Sequence, residues 1–480
     1  MNFTFHNRLG LLEIPSWGMK TMVICHMFKN NTTIGILLQL VQRTTTLRNE
    51  IENRAILMGL DTPCFTKMLD YTIEIFESQG LGMDYYGYHN INHELEVTYV
   101  TLMASIWKSS LESIKPNDLK YLYAAALFHD FDPQKSVDKP HEDNVIKFLL
   151  TDKNVQSLIA EAGLDINIVI TLILRTTYPW KGELKENAEK KIKECFEKSP
   201  LTKDDPQQQE HYLKLGWFLS IVDRVSGYSL GDFKKGMEMA KMNAHALAWH
   251  PSLIVRRSVA YFEDLLNNET EMTERVLASL PRQMRKNFMN NVLGFLNLRQ
   301  QEIQIHSNFV FDNLRLVPTI DSITLRNDES FIETLLALYD ELPKPLQFAR
   351  DVFAEAVRDP NTILNTLRLG SPKGEIIGYA KGGPLENYKL RPGIQDENMG
   401  LGNTIFLEPI SLKMGYWGHE GGRELRHLFT MLAHAKKYKH LTSFALRDVI
   451  ERRSQTYENV QFVKKFDPER WDYYRTPLQF

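Results

Sequence analysis

From about residue 35 to residue 310, apolar residues recur at three- and four-residue intervals. The segments "TKMLDYTIEIFESQ", "NVIKFLLTDKNVQSLIAEAG", "HYLKLGWFLSIVDRVSGY" and "SLIVRRSVAYFEDLL" all carry this period. It is the period of a helix with one apolar face, so this long stretch predicts an all-α unit. Pro116, Pro140, Pro179 and Pro206 fall between the periodic segments, where helix breakers belong. Residues 182–210 are strongly charged and read as an exposed helix and a loop.

The texture changes near residue 315. "ITLR" (323–326) reads as a short strand, followed by a long helical stretch through 357. "TLRL" (366–369), "EIIGYA" (375–380) and "NTIFLEPISL" (403–412) then read as strands. A glycine cluster, a helix over 422–437, the strand "LTSFAL" (441–446), another helix and a closing "WDYYRTPL" complete the chain. The expected architecture is therefore multidomain, an all-α domain followed by an α/β (α+β) domain. A chain of 480 residues is also too long for one ordinary core. The expected division is an extension of little pattern over 1–34, a helical domain over 35–312 and a mixed domain over 318–480.

Composition narrows the class. The net charge of −3 argues against wholesale nucleic-acid or membrane-surface binding. Cys25, Cys64 and Cys195 lie far apart and make no CxxC pair, which points to a reducing, cytoplasmic setting. No apolar run reaches the ~18 residues of a membrane span. Oligomeric state is not legible.

The chemistry concentrates in three places. In "GYHNINHELEV" (87–97), His89 and His93 are one helical turn apart and can share a face. In "ALFHDFDP" (126–133), His129 and Asp130 are neighbours near a helix-ending proline, and at a helix end both can serve one ion. In "LSIVDRVSGY", Asp223 sits within an apolar face, where an unpaired acid is costly. Taken singly, each is an ordinary helix residue, and Asp223 could simply pair with Arg224. Together they form a mixed nitrogen and oxygen set that suits zinc, manganese or iron.

These segments resemble the HD superfamily of metal-dependent phosphohydrolases over roughly residues 60–270. "YHNINHELEV" is similar to the cyclic-nucleotide phosphodiesterase signature Y-H-N-x-x-H-A-x-D-V, departing from it at Glu94 and Glu96. The resemblance implies one or two divalent ions (zinc, manganese, magnesium or iron), the first held by His93, His129, Asp130 and Asp223. Asp130 would bridge to a second ion, and His89 would be the general acid. Either Glu94 or Glu96 could fix a histidine tautomer from behind. Pro133 stands where that family has a further histidine, so His141 and Asp132 become the candidates for the second ion or its surroundings. Lys135, Lys139 and Arg175 are candidates for holding a phosphate. The glutamine and aromatic clamp that hold the purine have no counterpart after Asp223. The implied activity is hydrolysis of a phosphoester in a nucleotide-like substrate, cyclic or linear.

The C-terminal pattern resembles the GNAT acyltransferase fold. There a strand leads into R/Q-x-x-G-x-G/A, whose amides open a helix onto the pyrophosphate of acetyl-CoA. Gly418, His419, Gly421, Gly422 and Arg423 would line that loop, with acetyl-CoA as the implied cofactor. Trp417 and Glu420 depart from the pattern. "TYENVQF" resembles a family segment that would make Tyr457 a general acid, and Glu408 could serve as a base. A packed tyrosine and a strand-end glutamate are the plain alternatives. The second expectation is thus an acetyl-CoA-dependent N-acetyltransferase regulated by nucleotide binding to the helical domain, and the third is a ligand sensor without chemistry.

Overall fold

The computed structural model describes residues 31–78, 89–105, 114–133, 141–247, 249–343, 346–347, 349–455, 458–466 and 470–478. Side chains are described from Thr44 onward, those of 245 and 246 excepted. Leu47–Phe480 form one compact unit.

The helical part runs from Asn31 to Phe311. Its centre is the helix Ile166–Leu174, seven of whose residues are buried. A helix apolar all round belongs inside a protein, and this one is flanked by Pro116–Phe128, Glu142–Thr151, Gly182–Lys198 and Pro206–Ser229. The charged segment read as an exposed helix and loop is the helix Gly182–Lys198 and the turn that follows it. Among the described residues, no single helix is long and apolar enough to cross a membrane.

The last helix of this part, Arg282–Phe311, is thirty residues long. Near its start, Asn287 donates to the Ser229 carbonyl, and buried Asn291 donates to those of Tyr228 and Gly231. These bonds pin it to the end of Pro206–Ser229, just beyond Asp223. Near its other end, the Phe309 ring stacks on His419 at 4.2 Å, with His306 beside it.

The C-terminal part is one sheet with strands β1 (Leu316–Ile320), β2 (Ile363–Leu369), β3 (Ile376–Pro384), β4 (Thr404–Leu407), β5 (Ser411–Leu412), β6 (His440–Leu446), β7 (Gln461–Lys464) and β8 (Trp471–Pro477). The order is β1-β2-β3-β4-β6-β8-β7, with β5 also on β3. Every pairing is antiparallel except β4 with β6. Helix Gly421–Ala435 packs through Leu425 and Phe429 against Ile363, Leu367 and Ile377. Helices Glu329–Tyr339 and Arg350–Arg358 form a separate cluster with Leu364 and Tyr379.

Three sequence expectations need correction. "ITLR" is not a strand but a helical turn, capped by the Ser322 hydroxyl. Its Arg326 is buried and donates to the carbonyls of Val357, Asp359 and Thr362, so tertiary anchoring overrides β propensity. The true first strand is "LVPTI", hidden in the sequence by Pro318. Proline is tolerated there because β1 is an edge strand. The helical stretch through 357 is two helices, interrupted between Tyr339 and Arg350.

One irregularity shapes the sheet. β4 runs parallel to β6 only as far as Leu407 opposite Ser443. The chain then turns through Glu408-Pro409-Ile410 and rejoins β3 as β5, while β6 continues to Leu446 on β8 alone. The sheet is therefore parted between 408–412 and 444–446.

Candidate metal centre

The Asn90 side chain caps helix Ile91–Ala104, accepting from the amides of Asn92 and His93. This cap fixes the first turn, which carries His93 inward, and places His89 just before it. His129 is the C-cap of Pro116–Phe128, where the chain leaves the helix. That ending lets two adjacent residues turn to one point. Asp223 arrives from the middle of Pro206–Ser229.

Four ligand atoms converge. His93 Nε2 is 3.0 Å from Asp223 Oδ1 and 3.4 Å from Asp130 Oδ2. His129 Nε2 is 3.6 Å from each of the same two oxygens. A tetrahedron of ligands at zinc-like bond lengths has edges of about 3.4 Å. His129 Nε2 and Asp223 Oδ1 are buried and make no hydrogen bond in the protein, as two atoms waiting for a shared ion would. His89 extends the set: its Nδ1 lies 2.7 Å from Asp130 Oδ2. Two potential ligand triads result, His89–His93–Asp130 and His93–His129–Asp223, sharing His93. The donor set fits a divalent ion.

Behind the ligands stands Glu94, fully buried. Its Oε2 is 2.5 Å from His129 Nδ1, and its Oε1 accepts from the Asp130 amide at 2.8 Å. The carboxylate thus faces one ligand and holds the backbone of the next, while the hydrogen bond at His129 Nδ1 is to the Ala126 carbonyl at 3.1 Å. Of the two acids named from the sequence, this is the one behind the ligands, since Glu96 pairs with Lys235 at 2.7 Å.

Burial disfavours a charged His93, but contacts with Asp130 and Asp223 outweigh it and raise its pKa to about 9. His129 is likewise raised despite burial, chiefly by Glu94 and Asp130. Burial would raise the two aspartates, yet their histidine partners hold both below the usual range. Without an ion, the cluster is a set of charged pairs.

Other expected residues lie outside the two triads. Asp132 is buried and its Oδ2 accepts from the His141 amide and from Asn144, while exposed His141 caps helix Glu142–Thr151 through its own ring nitrogen. Both order the chain after the ligands and lie outside the two triads. Arg175 is built into an aromatic stack with Trp180 and Trp217. Lys135, Lys139 and Tyr457 lie outside the described residues.

In the sheet part, Gly418 and Glu420 both have positive φ, and Gly421 opens the helix. The loop before it is already engaged. Trp417 Nε1 donates to the Leu412 carbonyl, and the His419 ring lies against Phe309. The exposed Glu420 carboxylate pairs with Arg423 at 3.1 Å. A Cβ on Gly421 would lie 2.7 Å from Leu367 Cδ2, so this glycine serves close helix-to-sheet packing. Gly422 is less confined, its nearest neighbour being Leu412 at 3.8 Å. Gly418, His419, Gly421, Gly422 and Arg423 thus lie together at the start of this helix, with packed rings and an acid among them. Glu408 is also not poised as a base: buried Lys381 pairs with it, and the Tyr388 hydroxyl donates to it at 2.7 Å.

No family model matches the chain, and no curated protein matches it. Among solved structures, the likenesses include an acetyltransferase of the GNAT family from Staphylococcus aureus Mu50, at 12% identity and TM-score 0.24, covering 34% of this chain and 100% of that one. A ribosomal-protein-alanine N-acetyltransferase from Brucella melitensis is similar at 14% identity and TM-score 0.23, over 34% of this chain and 98% of that one. A GNAT superfamily phosphinothricin acetyltransferase from Sinorhizobium meliloti, in complex with AcCoA, gives 14% identity and TM-score 0.23, over 34% and 88%. Likenesses of this size assign neither family nor activity to this chain.

Proposed function

We propose that the helical part is a metal-dependent phosphohydrolase acting on a nucleotide-like phosphoester, cyclic or linear. The observation that carries this reading is the approach of His93, His129, Asp130 and Asp223 to within 3.0–3.6 Å along four edges of one ligand polyhedron. A divalent ion held there supplies an acidified water and a counter-charge for phosphoryl oxygens. The Ala126 carbonyl and Glu94, both at His129 Nδ1, would keep the Nε2 lone pair turned toward that ion. Asp130 holds His89 through Nδ1, so Nε2 is the nitrogen through which His89 would protonate a leaving oxygen. Metal analysis and turnover of bis-p-nitrophenyl phosphate and a nucleotide panel, wild type against Asp130→Ala, test this. Absence of bound transition metal together with unchanged turnover in the variant would end it.

A second reading has one structural observation in its favour. The parting of β4 from β6 opens the sheet beside the helix Gly421–Ala435, where an extended thioester could lie between strands. That would make the sheet part an acyl-CoA-dependent N-acetyltransferase, with the helical centre regulating it. The packed loop before Gly421 opposes it. Calorimetry with acetyl-CoA decides: no heat at high micromolar concentration removes this reading.

A further inference from the structure

Arg175 ends the helix Ile166–Leu174 and is 7% exposed. Its guanidinium lies 4.0 Å over the Trp180 ring and 5.9 Å from that of Trp217. Nη1 is buried with no hydrogen-bond partner. The side chain is seated by Gly216, where a Cβ would come within 2.7 Å of Arg175 Cβ. Of the acids around it, Glu189 is paired with Lys185 at 3.6 Å, and two others face elsewhere. Asp264 accepts from Arg224 at 2.9 Å, and Glu269 accepts from Trp217 Nε1 at 2.6 Å with its second oxygen 3.9 Å from Arg224.

Other buried arginines among the described residues each donate to at least one carboxylate or carbonyl, Arg224 and Arg475 included, although the Nε of each of those two lacks a partner. Arg326 donates to three carbonyls, Arg368 to Asp321 and Arg475 to Asp396. Arg175 has aromatic faces instead, and Arg224 as a like-charged neighbour. Burial, with the repulsion of Arg224, pulls its pKa down to about 10 despite Glu269. A guanidinium so placed is costly unless an anion completes its hydrogen bonds.

We propose that Arg175, with Trp180 and Trp217, forms a binding subsite for the phosphate group of a small-molecule ligand. The planar fork suits two phosphate oxygens, and the indole faces suit a flat ring attached to the same ligand. Gly216 and Asp223 share a helix seven residues apart, about 10 Å along its axis, which separates this subsite from the ligand cluster. The inference goes beyond the hydrolase reading and stands if that reading falls.

The test titrates inorganic phosphate and, separately, adenosine monophosphate at constant ionic strength, following tryptophan fluorescence and thermal unfolding. Saturable responses are expected in wild type and in Asp130→Ala. They should weaken at least ~10-fold in Arg175→Met, the loss of a charge-assisted pair, and also in Arg175→Lys, should the methionine variant not fold. Tighter binding of adenosine monophosphate shows that the indoles take the base, and equal binding shows that the phosphate alone is the ligand. The proposal is overturned by no saturable response in wild type. It is equally overturned by a response that survives both Arg175 variants but disappears in Asp130→Ala, which would place the anion at the ligand cluster.

Discussion

The two parts of this molecule present opposite kinds of candidate site. In the helical part, nitrogen and oxygen atoms from three segments meet with their best lone pairs directed at one another, and Glu94 is buried to hold them so. In the sheet part, each candidate side chain among the described residues already has a neighbour: Glu408 has Lys381 and Tyr388, Arg423 has Glu420, and His419 has Phe309. The difference teaches what marks a site. A buried polar group whose bonding is incomplete within the chain points outward to a ligand, whereas one completed by its neighbours explains only the fold.

The sharpest way to break this comparison is Asp130→Ala. It removes the oxygen shared by His89, His93 and His129, and metal affinity should fall more than about a hundredfold, read by equilibrium dialysis. Retained metal would reduce the cluster to ordinary ion pairs. Next is Lys381→Met, which strands Glu408 as a buried charge. It should cost about 3–5 kcal/mol in chemical denaturation. A loss under 1 kcal/mol would mean that Glu408 is easily neutralised and open to a role in chemistry.

Glu94→Gln tests the support behind the ligands. One amide cannot accept from both the His129 ring and the Asp130 amide, so metal affinity should drop about 10–100-fold with little change in fold. A smaller effect comes from pH. Metal-free His93 stays protonated up to about pH 9, so metal uptake at pH 7.5 must release a proton. Calorimetry in buffers of different ionisation enthalpy should show that release, with affinity rising as pH rises toward 9. The same shift stabilises the metal-free fold fully below the unfolded value near 6.5, a contribution lost as pH rises through 9. A pH-independent affinity over 6–9 would contradict both statements. The mildest change is Phe309→Ala. Losing one ring stack on His419 should cost about 1 kcal/mol in thermal unfolding, and a neutral result would remove that contact as a joint.

How much of this was legible follows from the range of each interaction. The spacing of His89 and His93 is a single helical turn, and Asp223 stands out because its apolar face has no place for an acid. His129 and Asp130 could be joined to them because a proline follows closely. What the sequence hid is tertiary. Nothing local shows that His141 caps its own helix, or that Lys381 on β3 lies across from Glu408. The strand β1 was masked by a proline that only an edge position permits, and "ITLR" carries strand-forming residues on a turn set by Arg326. In the sheet part, the helix Gly421–Ala435 and the strands around it were readable from glycines and alternation. The ring packing that fills its loop was not.

The helix Arg282–Phe311 carries a mechanical consequence. At 1.5 Å per residue, its thirty residues make a shaft of about 45 Å. One journal is the asparagine pair beneath the segment that bears Asp223, and the other is the ring stack on His419. A shaft held at two bearings cannot be displaced at one without torque on the other. Gly236 sits at the first bearing, where a Cβ would intrude to 1.9 Å from Asn291 Oδ1. A single methyl group there would have to displace the Asn291 amide, and so would loosen the first bearing.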